Sequence, residues 1–324
     1  MTNRFIKYYA IIGTTCLVAG AVLFYNLLPD PSAEVPRDKL NDWEAPDIRF
    51  LSDTGKAAII RYGRALIEHT SDYLGPHGTV SHISNGMNCG NCHLDAGTRA
   101  DANCFAAVAA NYPKYRPRSG KRESIEFRVN DCMERSLNGR QLDSGSVEMR
   151  AMVAYIRWVG KDVPKGKTPK AAGVPKLPFL QRAADPLQGR VVFVNKCQHC
   201  HGGDGRGLSK EDSTGYLYPP LWGAGSYNVS AGMYRLSALA AFIRYNMPYN
   251  ALYSIPELTN EEAWDVAAYI GSQNRPEKFF AADWPDIRTK PFDYPFGPFA
   301  DSFSAQEHKY GPFTAMQPKK KQGN

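Results

Sequence analysis

The sequence predicts a mainly α-helical protein built from two similar domains in tandem, and three observations carry that prediction. The order helix, Cys-x-x-Cys-His, loop, sulfur-bearing residue, helix occurs twice along the chain, and a repeat of this kind marks the structural unit. Apolar residues around both copies recur at helical spacing. The 324 residues exceed one typical domain, and 43% hydrophobic residues suffice for two cores. That apolar content excludes an intrinsically disordered chain.

Taken in order, the N-terminus carries Arg4 and Lys7, then an uncharged, mostly apolar run from Tyr8 to Leu28, then Asp30 and Pro31. As a helix that run reaches roughly 31 Å, the thickness of a bilayer's hydrocarbon core. Residues 1–30 therefore read as a membrane anchor or a cleaved signal segment. Ala19-Gly20-Ala21 offers the small residues that cleavage requires. The run continues past it through Val22-Leu23-Phe24, which favours the uncleaved anchor. Cys16 follows Gly13-Thr14-Thr15, a poor lipoprotein site, and reads as a lipid-facing residue. Either way Arg4 and Lys7 stay inside and the body is exported, to the periplasmic side.

The first domain is expected over residues 31–160. Lys56 to Leu74 shows Ile59, Ile60, Leu66 and Ile67 at roughly helical spacing ahead of the first cysteine motif. A closing helix runs from about Ser146 to Val159, with Gly160 as its stop. Residues 161–184 hold four prolines and five lysines without periodicity and read as a linker. The second domain spans 185–275. Asp185-Pro186 is an N-cap with proline at the first helical position, and Thr259 with Glu262 is a capping box opening the closing helix. Residues 276–324 form an extension rich in proline and in rings, including Phe279, Phe280, Trp284, Phe292, Tyr294, Phe296 and Phe299. So many rings predict an irregular strap laid over the domains, with Lys319-Lys320-Lys321 frayed at its end.

Chemistry enters with the cysteines. Four of the seven fall in Cys89-Gly90-Asn91-Cys92-His93 and Cys197-Gln198-His199-Cys200-His201, the pattern of covalent c-type haem attachment. Thioether bonds need two thiols one helical turn apart, and the next histidine then faces the iron. This makes His93 and His201 the proximal ligands and each repeat a cytochrome c-type domain. Zinc is the competing reading of such pairs; the histidine after each pair and the helix before it favour haem. The glycine-rich run from Gly202 to Gly207 could mimic a phosphate loop, but it follows no strand. A net charge of +7 is spread over scattered Lys and Arg with no nucleic-acid motif, so nucleic acid is excluded as a partner. A mildly basic surface suits anionic substrates or acidic redox partners.

The second axial ligand separates a carrier from an enzyme, because methionine raises the iron's potential while thiolate donates charge to it. The second copy offers Met247 before Pro248, with Met233 as the competitor. The first copy has no Met-Pro at that place, but it has Cys132. Cys132 and Met247 stand at one distance, 17 residues, ahead of Met149 and Trp264 in the two closing helices. Cys104 is the alternative thiol, and Met133, Met149 and Met152 look more like core residues.

At these residues the chain resembles the dihaem c-type thiosulfate dehydrogenases, which couple two thiosulfates into tetrathionate. The resemblance rests on Asn88 to Thr98, Tyr115-Arg116-Pro117-Arg118-Ser119-Gly120, Arg128 to Gly139, Pro219-Pro220-Leu221-Trp222-Gly223 and Phe242 to Pro248. It implies two covalently bound haem c groups. The first would be a His/Cys active-site haem held by His93 and Cys132. Arg118 and Arg128 would bind the substrate anion, with Ser136 beside them. The second would be a His/Met haem on His201 and Met247 that passes electrons to a soluble or membrane-bound redox partner such as a cytochrome. Some relatives carry an iron-ligating lysine just before that methionine; Asn246 stands there in this chain, so ligand exchange is not implied.

The residues agree with that chemistry. Thiosulfate is a dianion suited to the planar arginine fork, and two arginines would offset repulsion between two dianions. A thiolate beside cations is a sulfur nucleophile as well as an iron ligand. The competing functions are a pure electron-transfer dihaem cytochrome, a carrier-type cytochrome acting on a protein-bound thiol, and the same enzyme running as a tetrathionate reductase.

Overall fold

Thr54 starts the first long helix by accepting a hydrogen bond from the Ala57 N–H at 3.2 Å. In this computed structural model, which describes residues 43–52, 54–249 and 255–317, that helix is α1, Gly55–Glu68, with Ala57, Ile60, Gly63, Leu66 and Ile67 buried. The helix expected to run on to Leu74 is interrupted at His69, and a short turn, Thr70–Leu74, follows. The break has a use. The Thr70 hydroxyl donates to the Leu66 carbonyl at 2.7 Å and accepts from the Cys89 N–H at 3.0 Å, tying the helix end to the first cysteine motif.

Two elements that apolar periodicity did not reveal come next. Lys114–Arg116 (β1) and Lys121–Glu123 (β2) form an antiparallel hairpin, and Ser124 caps helix α2, Ile125–Arg135. Helix α3, Val147–Val159, begins at Ser146 and ends at Gly160 as its sequence signals predict. Met133, Met149 and Met152 are fully buried in the core that α1 and α3 build with Leu66, Leu74 and Tyr155.

The second half repeats the plan. Asp185 caps α4, Pro186–Lys196, and a short hairpin of β3, Leu208–Ser209, with β4, Tyr216–Tyr218, follows the second cysteine motif. Then come α5, Leu236–Asn246, and α6, Asn260–Ser272, which opens with the expected Thr259 capping box. In both halves the helix before the cysteine motif crosses the closing helix at a glycine. A side chain on Gly63 would overlap the Ala151 carbonyl of α3, and one on Gly189 would overlap the Asp265 carbonyl of α6. Only a missing Cβ lets the backbones come that close.

Residues 161–184 contain no helix or strand, yet they pack rather than float. Leu177 is buried, the Trp264 indole donates to the Pro178 carbonyl at 2.9 Å, and Arg182 pairs with both oxygens of Asp265 at 2.8 Å. The C-terminal segment is irregular apart from short turns and α7, Ala305–Tyr310. Its rings seat on both halves: Phe292 and Phe313 pack with Phe179, and Phe313 with Trp264. Trp284 and Tyr294 reach Arg118 of the first half. The Tyr8–Leu28 run and Lys319-Lys320-Lys321 lie outside the described residues, and no helix among the described ones is long and apolar enough to cross a membrane.

Candidate functional site

Helix α2 presents one stripe to a cavity of about 890 Å³. Arg128, Cys132 and Ser136 stand four residues apart and therefore share a face, and all three line that cavity together with Cys89, Cys92 and His93. The remaining wall is mostly apolar, from Ile67, Met87, Phe105, Val108 and Ile156 among others. The lining suits a flat, apolar ring system with few polar anchors. His93 is prepared for a metal. Its Nδ1 meets the Asn103 carbonyl at 2.6 Å, which assigns the proton to Nδ1 and leaves Nε2 for coordination. Burial lowers its pKa to about 4, so the ring is neutral, the form that ligates.

A second cavity of about 1650 Å³ is lined by Cys197, Cys200, His201 and Met247. His201 repeats the arrangement, with Nδ1 against the Pro219 carbonyl at 2.8 Å and its pKa lowered by burial. Met233 lies on the same wall as Met247, so cavity lining alone keeps both sequence alternatives. Met87 and Cys92 line both cavities. Among the described residues no cluster of three or more His, Cys, Asp or Glu side chains could hold a metal ion, whereas a structural zinc site needs four such donors.

Residues 80–164 match the family described as SoxA/TsdA, cytochrome c domain, and residues 187–274 match cytochrome c. The thiosulfate dehydrogenase of Allochromatium vinosum is 37% identical over 71% of this chain and 83% of its own length. That of Stutzerimonas stutzeri is 34% identical over 72% and 73%. This chain belongs to the thiosulfate dehydrogenase family. The solved thiosulfate dehydrogenase (TsdBA) of Marichromatium purpuratum, as isolated, superposes with a TM-score of 0.69 at 32% identity, covering 79% of this chain. This chain spans 54% of that solved chain. A thiosulfate dehydrogenase of this kind is an oxidoreductase with two tandem cytochrome c domains and two covalently bound haem c groups. Cys89 and Cys92 line the first cavity, and Cys197 and Cys200 the second.

Not every predicted site residue reaches the first cavity. Cys132, Arg128 and Ser136 line it, and so does Cys104, whose Sγ lies 3.4 Å from the Ala171 carbonyl. Ser136 also closes α2, its N–H bonded to the Cys132 carbonyl at 2.8 Å. Arg118 is absent from the wall. Its guanidinium stacks on Trp284 and Tyr294 at 4.6 and 5.1 Å, hydrogen-bonds the Tyr294 hydroxyl and sits 3.7 Å from Asp283. Burial lowers its pKa.

Electrostatics couple the stripe to its surroundings. Coulombic interaction with the neighbouring Cys132 sulfur is the main cause that raises the pKa of Arg128. Asp131, paired with Arg128, would be raised by burial, but Arg128 and Arg135 together bring it below the ordinary carboxylate range. The sequence reading missed Asp131 and Arg135, although Arg128, Asp131 and Arg135 form i, i+3 and i+7 positions of one helix. It also missed the Asn103 and Pro219 carbonyls and the tail residues Asp283, Trp284 and Tyr294. Main-chain carbonyls carry no side-chain signal, and the tail residues lie outside both matched segments.

Proposed function

We propose that this protein oxidises thiosulfate to tetrathionate at the cavity lined by Arg128, Cys132 and Ser136. The observation that carries the reading is that stripe of α2, facing the cavity that also holds Cys89, Cys92 and His93. In the reaction two dianions lose two electrons in total as one sulfur–sulfur bond forms, and no proton enters the balance. Each haem supplies a one-electron acceptor when bound. His93 and Cys132 would hold the first group, and His201 and Met247 the second.

Cys132 is preferred over Cys104 on geometry. Cys104 directly follows Asn103, whose carbonyl braces the ring of His93, so it comes from the same loop as that histidine's support, whereas Cys132 comes from α2 with Arg128 and Ser136. Arg128 takes the sulfonate end of the substrate with its planar fork, and its charge offsets the repulsion as the second dianion arrives. Cys132 faces the same cavity one helical turn from that cation and offers a sulfur for the coupling chemistry. Ser136 offers a hydroxyl to the anion one turn further along. Electrons leave towards the second cavity, whose wall shares Met87 and Cys92 with the first, and then pass to a cytochrome or similar acceptor. The body works on the periplasmic side, tethered by residues 1–30.

Cys132→Ala is the decisive variant. It should keep both haems, since Cys89 and Cys92 still attach the first, lose the low-spin thiolate signature, and lose activity by at least about a hundred-fold. Turnover of thiosulfate at the parental rate would overturn the assignment and make Cys104 the next residue to replace.

A further inference from the structure

Arg128 is the first member of a line of alternating charges that ends in the C-terminal segment. Asp131 offers one carboxylate oxygen to Arg128 and the other to Arg135. Arg135 then meets both oxygens of Asp283, each at 2.7 Å, and lies 3.8 Å above the ring of Phe280. Arg118 also approaches Asp283, at 3.7 Å. The side chains of Arg135, Asp131 and Asp283 are only 8, 11 and 11% exposed. Charges so far from water are tolerated when each is paired, and the two-pronged Arg135–Asp283 contact fixes orientation as well as distance.

We infer that Asp283 and Arg135 are positioning residues that hold the Arg128 guanidinium at the cavity wall, which makes the C-terminal extension part of the active site. This rests on Arg128 being the contact for the substrate anion. By occupying one oxygen of Asp131, Arg135 prevents that carboxylate from closing on Arg128 with both. Arg128 then spends Nη1 on Asp131 and can present its other nitrogens to a ligand. An arginine set in advance loses less freedom on binding than one that must be ordered by the anion itself.

Positioning and plain electrostatics have opposite signs here. Asp283→Asn nearly preserves shape while removing a negative charge, and charge alone would tighten the binding of a dianion. Loss of positioning weakens it. With thiosulfate and an artificial electron acceptor, Asp283→Asn should raise KM about ten-fold and change kcat by less than about three-fold, with haem content and the first haem's spectrum unaltered. Arg135→Lys keeps the charge but cannot form the fork, and it should show the same KM rise; it carries the test if Asp283→Asn does not assemble. A KM that is unchanged or lower in a haem-loaded variant overturns the inference. Arg128→Ala separates the premise from the proposal. If it leaves KM at the parental value, Arg128 is not the substrate contact. If it raises KM while Asp283→Asn and Arg135→Lys do not, only the positioning role fails. In Arg128→Ala/Asp283→Asn the two effects should not add, because Asp283 acts through Arg128; full additivity would also overturn it.

Discussion

His93 and His201 are each braced from behind by a main-chain carbonyl, Asn103 for one and Pro219 for the other. Such bracing fixes the ring and raises its basicity toward a metal, so on the proposed ligand sets the two sites would differ mainly in Cys132 against Met247. Met247→Ala should accordingly lower the second haem's potential by on the order of 100 mV, given that axial ligands span roughly 0.8 V. The first haem's spectrum should stay as it is. An unaltered second haem in a redox titration would move the ligand to Met233, which shares the wall. At this scale the sequence was informative where chemistry is local. The two Cys-x-x-Cys-His motifs need only neighbouring residues to be recognised, whereas Arg128 and Ser136 entered through the family resemblance. Arg118 shows the limit: its nearness in sequence to Arg128 says nothing of Asp283, Trp284 and Tyr294, which come to it from more than 160 positions away.

Helix ends were the most readable elements, because caps are written in single residues. Ser146, Asp185 and Thr259 each accept the hydrogen bonds their side chains advertise. The break at His69 was not readable, since what holds it is the Thr70 hydroxyl reaching the Cys89 N–H, a contact between residues 19 positions apart. Nor did β1 and β2 announce themselves, being short and largely exposed. The helix crossings give the sharpest expectation at this scale. Gly63→Ala and Gly189→Ala should each destabilise the haem-loaded protein by about 1–3 kcal/mol, because an added methyl must push apart two packed backbones. Thermal unfolding followed by far-UV circular dichroism measures this, and a Gly63→Ala protein melting at the parental temperature would refute the account of that crossing. The effect should begin in the half that carries the change, as the atoms nearest each glycine belong to its own closing helix.

Across the whole molecule the two halves are joined by more than residues 161–184, which composition presents as a spacer. Lys210 of the second half pairs with Asp72 of the first at 2.7 Å. Arg99 donates to the Tyr249 carbonyl at 2.8 Å and stacks on its ring, while the Tyr249 hydroxyl donates to Asp95 at 2.7 Å. Asn246, beside Met247, donates to the Asp101 carbonyl at 3.1 Å. None of these long-range pairs has a local sequence signature, which explains why a tandem repeat was legible and its docking was not. The N-terminal run poses a separate question, answered by fractionating cells and sequencing the mature N-terminus. Recovery in the membrane fraction with Tyr8 to Leu28 intact is expected; a soluble form starting beyond residue 21 would mean the segment is removed. The wall shared through Met87 and Cys92 has one more consequence. Neither half owns its site outright, so the second cannot be traded for a foreign cytochrome as an interchangeable part. A chimera made that way should disturb the spectrum of the first haem as well as the rate of electron exit.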